Sequence, residues 1–272
     1  MDTSRAFRIA YDGRPYHGFQ RQPDVPTVEE TILTALRALD ILDSDAETPP
    51  GYAAAGRTDA GVSALAQTVA FESPDWLSPA ALNSELPESV RAWASADAPP
   101  EFHATHHATA RTYTYYLHAP AADDAAVRAA LDALSGSHDF HNLTPDDTGT
   151  RRELSTTLSR EGSMLDLTFR AGGFARQLVR RLVTLVDEVA RGESNLDRID
   201  RVLSPEPLSG PEGVGPAPAY PLVLTDVAYP DLDFESDPDA AATARNLFES
   251  QRIEYSTRAR VAETISDGID SR

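Results

Sequence analysis

Two successive stretches of this chain have the same predicted order, strand–helix–strand–strand–helix–strand, and this repeat constrains the fold more than any other feature. In the first stretch, strands are predicted at 5–11, 66–72 and 91–96, and at 51–55, where the residues are small enough for a buried strand. Helices are predicted behind the capping residues Thr27 and Ser78. In the second stretch the same patterns predict strands at 111–118, 152–159, 164–170 and 222–229, and helices at 123–135, 174–191 and 195–203. This order is that of the ferredoxin-like fold.

The repeat therefore predicts an α+β protein with two ferredoxin-like βαββαβ halves. We expect the halves to form one extended, mainly antiparallel sheet with helices on one face. The predicted boundaries are 1–100 for the N-terminal half, 101–232 for the C-terminal half and 233–272 for an appended helical tail. The tail is predicted because residues 237–266 are polar and alanine-rich, with few large apolar side chains.

The charge balance bears on the environment in which the chain works. Acidic residues outnumber basic ones by 43 to 24, the net charge is −19, and every basic residue is an arginine. At ordinary salt such a chain repels nucleic acid. At about 1 M salt the Debye length is only about 3 Å, so the net charge acts over short distances alone. We therefore predict a salt-accumulating halophile as the source, and a nucleic-acid substrate is not excluded.

Other features of composition exclude several classes of protein. The chain has no cysteine, which excludes disulfides, thiol catalysis and cysteine-based zinc sites. No apolar run approaches the length of about 20 residues that spans a membrane, and the N-terminus is polar. We expect a cytoplasmic protein. Five of the seven histidines form two groups, 103, 106 and 107, and 138 and 141, without acidic residues at regular spacing, so no metal site is predicted.

The segment 54–62, Ala-Ala-Gly-Arg-Thr-Asp-Ala-Gly-Val, connects the two middle strands of the first half. Glycine, aspartate and threonine form turns, so a surface turn is the simplest interpretation. Against it, Arg57 and Asp59 are charged residues in small, apolar surroundings, which favours a paired site. A carboxylate beside a guanidinium stays ionised and can act as a nucleophile or a base. Gly56 and Gly61 are expected to let the backbone approach another group closely.

This segment resembles the catalytic motif of the tRNA pseudouridine synthase A family. Further stretches resemble family motifs in the same order: Tyr11 to Gln22, Thr27 to Glu29, Phe102 to Ala104 with Arg111 to Tyr115, Gly136 to Phe140, Phe174 with Leu178 to Arg180, and Ala219 with 222–224 and 227–229. The resemblance covers about residues 5 to 230. The sequence departs from the family pattern at four positions: Ser63, Thr105, Ala175 and Pro221.

The resemblance implies an enzyme that isomerises uridine to pseudouridine in the anticodon stem-loop of tRNA, at standard positions 38, 39 and 40. It implies no metal and no cofactor, a catalytic cleft between the halves, and a homodimer in which one tRNA bridges both subunits. By resemblance, Asp59 is the nucleophile, Tyr113 stacks on the target uracil, and Arg180 pairs with Asp59. Arg57 is expected near the flipped nucleotide.

Further arginines are expected to form a basic stripe for tRNA phosphates. They are Arg14 and Arg21 in the first loop, and Arg176 and Arg181 beside Arg180 in the helix at 174–191.

Two other classes of function stay open from the residues. One is a hydrolase with an aspartate nucleophile, although glycosidases generally use two carboxylates and only Asp59 stands out here. The other is a non-catalytic RNA-binding module, in which Tyr113, Tyr115 and Tyr116 display aromatic rings on a strand. That module leaves Arg57 and Asp59 without a role.

Overall fold

The computed structural model describes residues 3–208 and 210–270, and within them the chain forms one ten-stranded sheet with six α-helices. The strands are β1 (Thr3–Tyr11), β2 (Ala53–Ala54), β3 (Ser63–Ser73), β4 (Val90–Asp97), β5 (Ala110–His118), β6 (Gly136–Asp139), β7 (Arg151–Glu161), β8 (Met164–Ala171), β9 (Leu222–Ala228) and β10 (Glu235–Ser236). The helices are α1 (Val28–Ala38), α2 (Pro79–Asn83), α3 (Asp124–Leu134), α4 (Leu178–Ala190), α5 (Leu196–Leu203) and α6 (Pro238–Asp270).

The sheet runs in the order β10-β4-β1-β3-β9-β5-β8-β7-β6, with β2 paired to β3. The first and second stretches of the chain meet where β3 pairs with β9, at Ser63 with Val223 and Ala64 with Leu224. This pairing is parallel, and the others are antiparallel. The prediction of an α+β chain with one mainly antiparallel sheet is confirmed. The division into two ferredoxin-like halves stays a prediction.

Helix starts follow their capping residues. Thr27, Ser78 and Asp123 each accept a hydrogen bond from a backbone amide in the first turn of α1, α2 and α3. The prediction for the fourth helix was wrong at its start. That helix begins at Leu178 and not at Phe174, because Gln177 has a φ of 61° and interrupts the helical backbone.

Three further differences concern short or exposed elements. The strand predicted at 51–55 is only two residues long, Ala53–Ala54, and Gly51 lies outside it with a φ of 69°. Strands β6 and β10 were not predicted, because Gly136–Asp139 and Glu235–Ser236 lack an apolar alternation. The predicted helical tail is α6, a helix of 33 residues whose N-terminal part packs against β4 and α2.

Two hydrophobic cores lie along the sheet, one under α1 and α2 and one under α3, α4 and α5. Strand β9 belongs to both, since Leu224 lies in the first core and Leu222 in the second. The buried guanidinium of Arg8 also connects the two stretches, because it donates to Val227 O at 2.7 Å and to Thr68 Oγ1 at 3.0 Å. No helix in the described ranges is both long enough and apolar enough to cross a membrane.

Candidate active site

The site is built on the loop 55–62, between β2 and β3, as predicted. Backbone hydrogen bonds fix both sides of this loop. Before Asp59, Ala55 donates to Thr68 O at 2.8 Å and Phe19 donates to Thr58 O at 3.0 Å; after it, Gly61 donates to Tyr16 O at 3.2 Å. The Thr58 hydroxyl lies 2.7 Å from the Tyr11 hydroxyl, and both side chains are buried. The backbone on either side of Asp59 is therefore tied to β1, to β3 and to the first loop.

Two glycines of the first loop allow this close packing. A Cβ at Gly13 would lie 2.1 Å from Val62 O, and one at Gly18 would lie 2.8 Å from Thr58 O. Gly18 also has a φ of +97°, a conformation that L side chains rarely adopt. The sequence prediction placed the close approach at Gly56 and Gly61 instead. Gly61 has a φ of +81°, and a Cβ at Gly56 would meet no protein atom within 4 Å, so close approach of a substrate to these two glycines stays a prediction.

Asp59 is paired with an arginine from the second stretch of the chain. Arg180 Nη1 lies 3.2 Å from Asp59 Oδ2, and the side chains of Arg180 and Asp59 are 15% and 26% exposed. Arg180 is fixed in turn, because its Nε donates to Ala217 O at 2.7 Å. Its own carbonyl accepts from the Ala217 amide at 3.0 Å. One Asp59 carboxylate oxygen is thus held from α4 while the side chain stays accessible to solvent.

Tyr113 lies on β5 and is partly buried against both hydrophobic cores. Its ring meets that of Phe174 edge-to-face, with centroids 5.3 Å apart. Burial raises the pKa of the Tyr113 hydroxyl well above its usual value, and the nearby charge of Asp59 raises it further. The phenol therefore stays neutral beside the carboxylate.

Arg57 is exposed and does not pair with Asp59, contrary to the paired site expected from the local sequence. Among residues 3–208 and 210–270, its guanidinium has no hydrogen-bond or ion-pair partner. The two charges of the loop are separated because Asp59 faces Arg180 whereas Arg57 extends into solvent.

Comparisons with known proteins identify the family of this chain. The family model described as tRNA pseudouridine synthase matches residues 130–230. The tRNA pseudouridine synthase A of Haloarcula marismortui is 58% identical over 97% of this chain and 100% of its own length. That of Halobacterium salinarum is 60% identical over 95% of this chain and 97% of its own length. The chain belongs to the tRNA pseudouridine synthase A family.

Membership in the tRNA pseudouridine synthase A family makes the chain an isomerase that acts on tRNA. These relatives and that of Natronomonas pharaonis, at 58% identity over 96% of this chain and 98% of its own length, come from halophilic archaea. They support the predicted halophilic source. A crystal structure of the archaeal box H/ACA sRNP Nop10-Cbf5 complex matches 68% of this chain and 43% of that chain. Its TM-score is 0.36 at 13% identity, too low to support a conclusion.

In this family member, the arginines predicted to contact tRNA phosphates have protein partners. Arg14 is held by Asp12, with Nη2 and Oδ2 2.5 Å apart, and by the Tyr255 hydroxyl. Arg176 Nε lies 3.2 Å from Asp146 Oδ1. Arg21 lies 3.8 Å from Glu30 and from Glu47, and Arg181 donates to Val214 O and Gln177 Oε1. Arg176 lies before α4 and not within it, which corrects its predicted place in the helix.

Arg111 is a residue whose role near the site was missed. Its guanidinium donates twice to Ala55 O, at 3.1 and 2.7 Å, and once to Thr105 O at 2.7 Å. Burial lowers its pKa. Arg111 therefore holds the start of the Asp59 loop against the loop 102–109. The sequence signal for this role was the position of Arg111, two residues before Tyr113 on the same predicted strand. Within the described ranges, no three histidine, aspartate or glutamate side chains are grouped so as to hold a metal ion.

Proposed function

We propose that this enzyme converts uridine to pseudouridine at positions 38, 39 and 40 of the tRNA anticodon stem-loop, with Asp59 as the nucleophile. The observation that carries the proposal is the position of the Asp59 carboxylate. It is held by Arg180 across the junction of the two stretches and is still 26% exposed. A fixed, accessible carboxylate is the group that nucleophilic catalysis requires.

The reaction rearranges one nucleotide without any external reagent. The bond from C1′ to N1 of uracil breaks, the base turns, and C5 forms a bond to C1′. The proton on C5 leaves, and N1 gains one. Three first steps are compatible with this reaction: attack on the ribose, addition to the base, or removal of a sugar proton. Each of them uses a carboxylate at the position of Asp59.

The neighbouring residues have distinct roles in this proposal. Arg180 positions Asp59 through their ion pair. The neutral Tyr113 stacks on the target uracil, a role supported by its ring beside Phe174 and its proximity to the charge of Asp59. The exposed Arg57 occupies the space left by the flipped base or holds the RNA backbone.

The remaining arginines are proposed to bind tRNA phosphates: Arg14, Arg21, Arg176 and Arg181. Of these, the Arg176 side chain is 61% exposed, and its ion pair with Asp146 lies at the surface. Such a pair is weak, so a tRNA phosphate can replace Asp146 as the partner of Arg176. We also propose a homodimer in which one tRNA bridges two subunits. Because tRNA is the substrate, the enzyme is proposed to act in the cytoplasm.

The test uses tRNA carrying tritium at C5 of uridine, incubated with the full chain in molar KCl. The expected result is tritium release by the wild-type enzyme and none by Asp59→Asn, with both chains folded by circular dichroism. Asp187→Asn is the matched control, since Asp187 belongs to a surface ion pair of α4. Tritium release by Asp59→Asn would contradict the proposed role of Asp59 as the nucleophile. Binding of tRNA without any release would favour the RNA-binding module, and release of free uracil would favour the hydrolase.

A further inference from the structure

The second half of α6 exposes apolar side chains that no other part of the described chain covers. Ile253, Val261, Ile265 and Ile269 are 54%, 56%, 58% and 70% exposed. With Thr257 they form one line of residues spaced four apart, which we call the α6 ridge. Residues four apart are neighbours on a helix surface, so the ridge is continuous.

The α6 ridge is symmetric in sequence about Val261. In two antiparallel copies centred there, Val261 faces its own copy, Thr257 faces Ile265, and Ile253 faces Ile269. A two-fold interface requires this self-complementary pattern. Ridges of residues four apart pack into one another when helices cross at about 50°, the commonest class of helix packing.

The charges beside the ridge are complementary in the same orientation. Residues 252–260 carry three arginines and one glutamate, whereas 262–270 carry three acidic residues and no basic one. An antiparallel copy places the basic segment of each helix against the acidic segment of the other. A parallel copy places like charges together.

The three arginines form exposed ion pairs with glutamates on the same helix: Arg252 with Glu249 at 2.6 Å, Arg258 with Glu254 at 2.5 Å, and Arg260 with Glu263 at 2.6 Å. Such surface pairs are weak, so they can be replaced by pairs with a second helix. RNA is a poorer occupant for this surface. The acidic segment 262–270 repels phosphates. We propose that the α6 ridge is an interaction surface for a second copy of this chain, which binds as an antiparallel helix crossing at Val261.

The proposed surface begins next to the first loop. The Tyr255 ring lies 4.4 Å from the Arg14 guanidinium carbon, and the Tyr255 hydroxyl accepts from Arg14. Arg14 in turn is held by Asp12, immediately after β1. Pairing of two α6 helices therefore brings the second copy close to residues 12–18, which pack against the Asp59 loop.

The first experiment measures the mass of the full chain in molar KCl by light scattering after gel filtration. The wild-type chain is expected to be a dimer. The double variant Val261→Glu with Ile265→Glu is expected to shift it to the monomer at equal concentration. The matched control adds the same two charges to the opposite face of α6, as Ala259→Glu with Ser266→Glu, and is expected to stay dimeric. Because these positions are exposed, circular dichroism should be unchanged in both variants.

The second experiment tests the crossing point, using the absence of native cysteine. Val261→Cys is expected to form a disulfide-linked dimer on mild oxidation, whereas Ala259→Cys stays monomeric on a denaturing gel. A monomeric wild-type chain, or a dimer that the ridge variant leaves intact, would overturn the proposal. So would a ridge variant that keeps the wild-type mass and binds tRNA more weakly, since the occupant would then be RNA.

Discussion

Arg180 and Asp59 form an ion pair 3.2 Å long between residues 121 positions apart in the chain. Arg180 lies in the first turn of α4, whereas Asp59 lies in the loop before β3. The pair can form only when β3 and β9 bring the two stretches together. Assembly of the sheet and positioning of the carboxylate are therefore one event.

We expect Arg180→Ala to fold and to lose turnover. Tritium release should fall at least about 100-fold, because a catalytic group misplaced by about 1 Å loses that much. The free energy of unfolding should fall by only about 1 to 2 kcal/mol, since the pair is partly solvated. The control is Arg191→Ala, which removes a surface ion pair with Asp187 at the end of the same helix and should leave turnover unchanged. Wild-type turnover in Arg180→Ala would remove Arg180 from the site.

The residues alone predicted most elements of this fold, because apolar periodicity is local. They also placed Asp59 on a loop between two strands, and the loop is there. They could not pair Asp59 with Arg180, since that contact depends on the parallel pairing of β3 and β9, which has no local signal. Only the family resemblance named Arg180 as the partner. The start of α4 was misplaced because the left-handed backbone at Gln177 has no signal in the apolar pattern of the sequence.

The glycines of the first loop give a second prediction. Gly18→Ala should lower the free energy of unfolding by about 1 to 3 kcal/mol, because it combines a left-handed backbone with a contact to Thr58 O. It should also reduce tritium release, since it displaces the backbone next to Asp59. Gly56→Ala is the matched control for stability, because a Cβ there meets no protein atom within 4 Å. Thermal unfolding and release would be measured together, and an equal loss of stability in the two variants would contradict this account.

Arg57→Ala should change RNA handling and leave stability alone. The side chain is exposed and has no partner in the described chain, so the unfolding free energy should change by less than about 0.5 kcal/mol. Single-turnover tritium release should be slower, because the flipped nucleotide loses a contact. Arg170→Ala removes an exposed arginine from β8 and serves as the charge-matched control. Equal rates in both variants would show that Arg57 does not contact the substrate.

The phenols of Tyr11, which is buried, and Tyr113, which is partly buried, predict a loss of stability at high pH. Burial raises the pKa of Tyr113 and Tyr11 above the value of about 10 that they have in the unfolded chain. Above pH 10 the folded state therefore keeps protons that the unfolded state has released, so stability is full below about pH 10 and falls as pH rises.

In Tyr113→Phe, the free energy of unfolding should fall less steeply with pH, by about 1.4 kcal/mol per pH unit. This is the slope that one titrating proton contributes. Tyr220→Phe, at a position 67% exposed, should leave the slope unchanged. The measurement is denaturant unfolding between about pH 8 and 11. An unaltered slope in Tyr113→Phe would mean that Tyr113 ionises in the folded protein. The interpretation that a neutral phenol lies beside Asp59 would then be wrong.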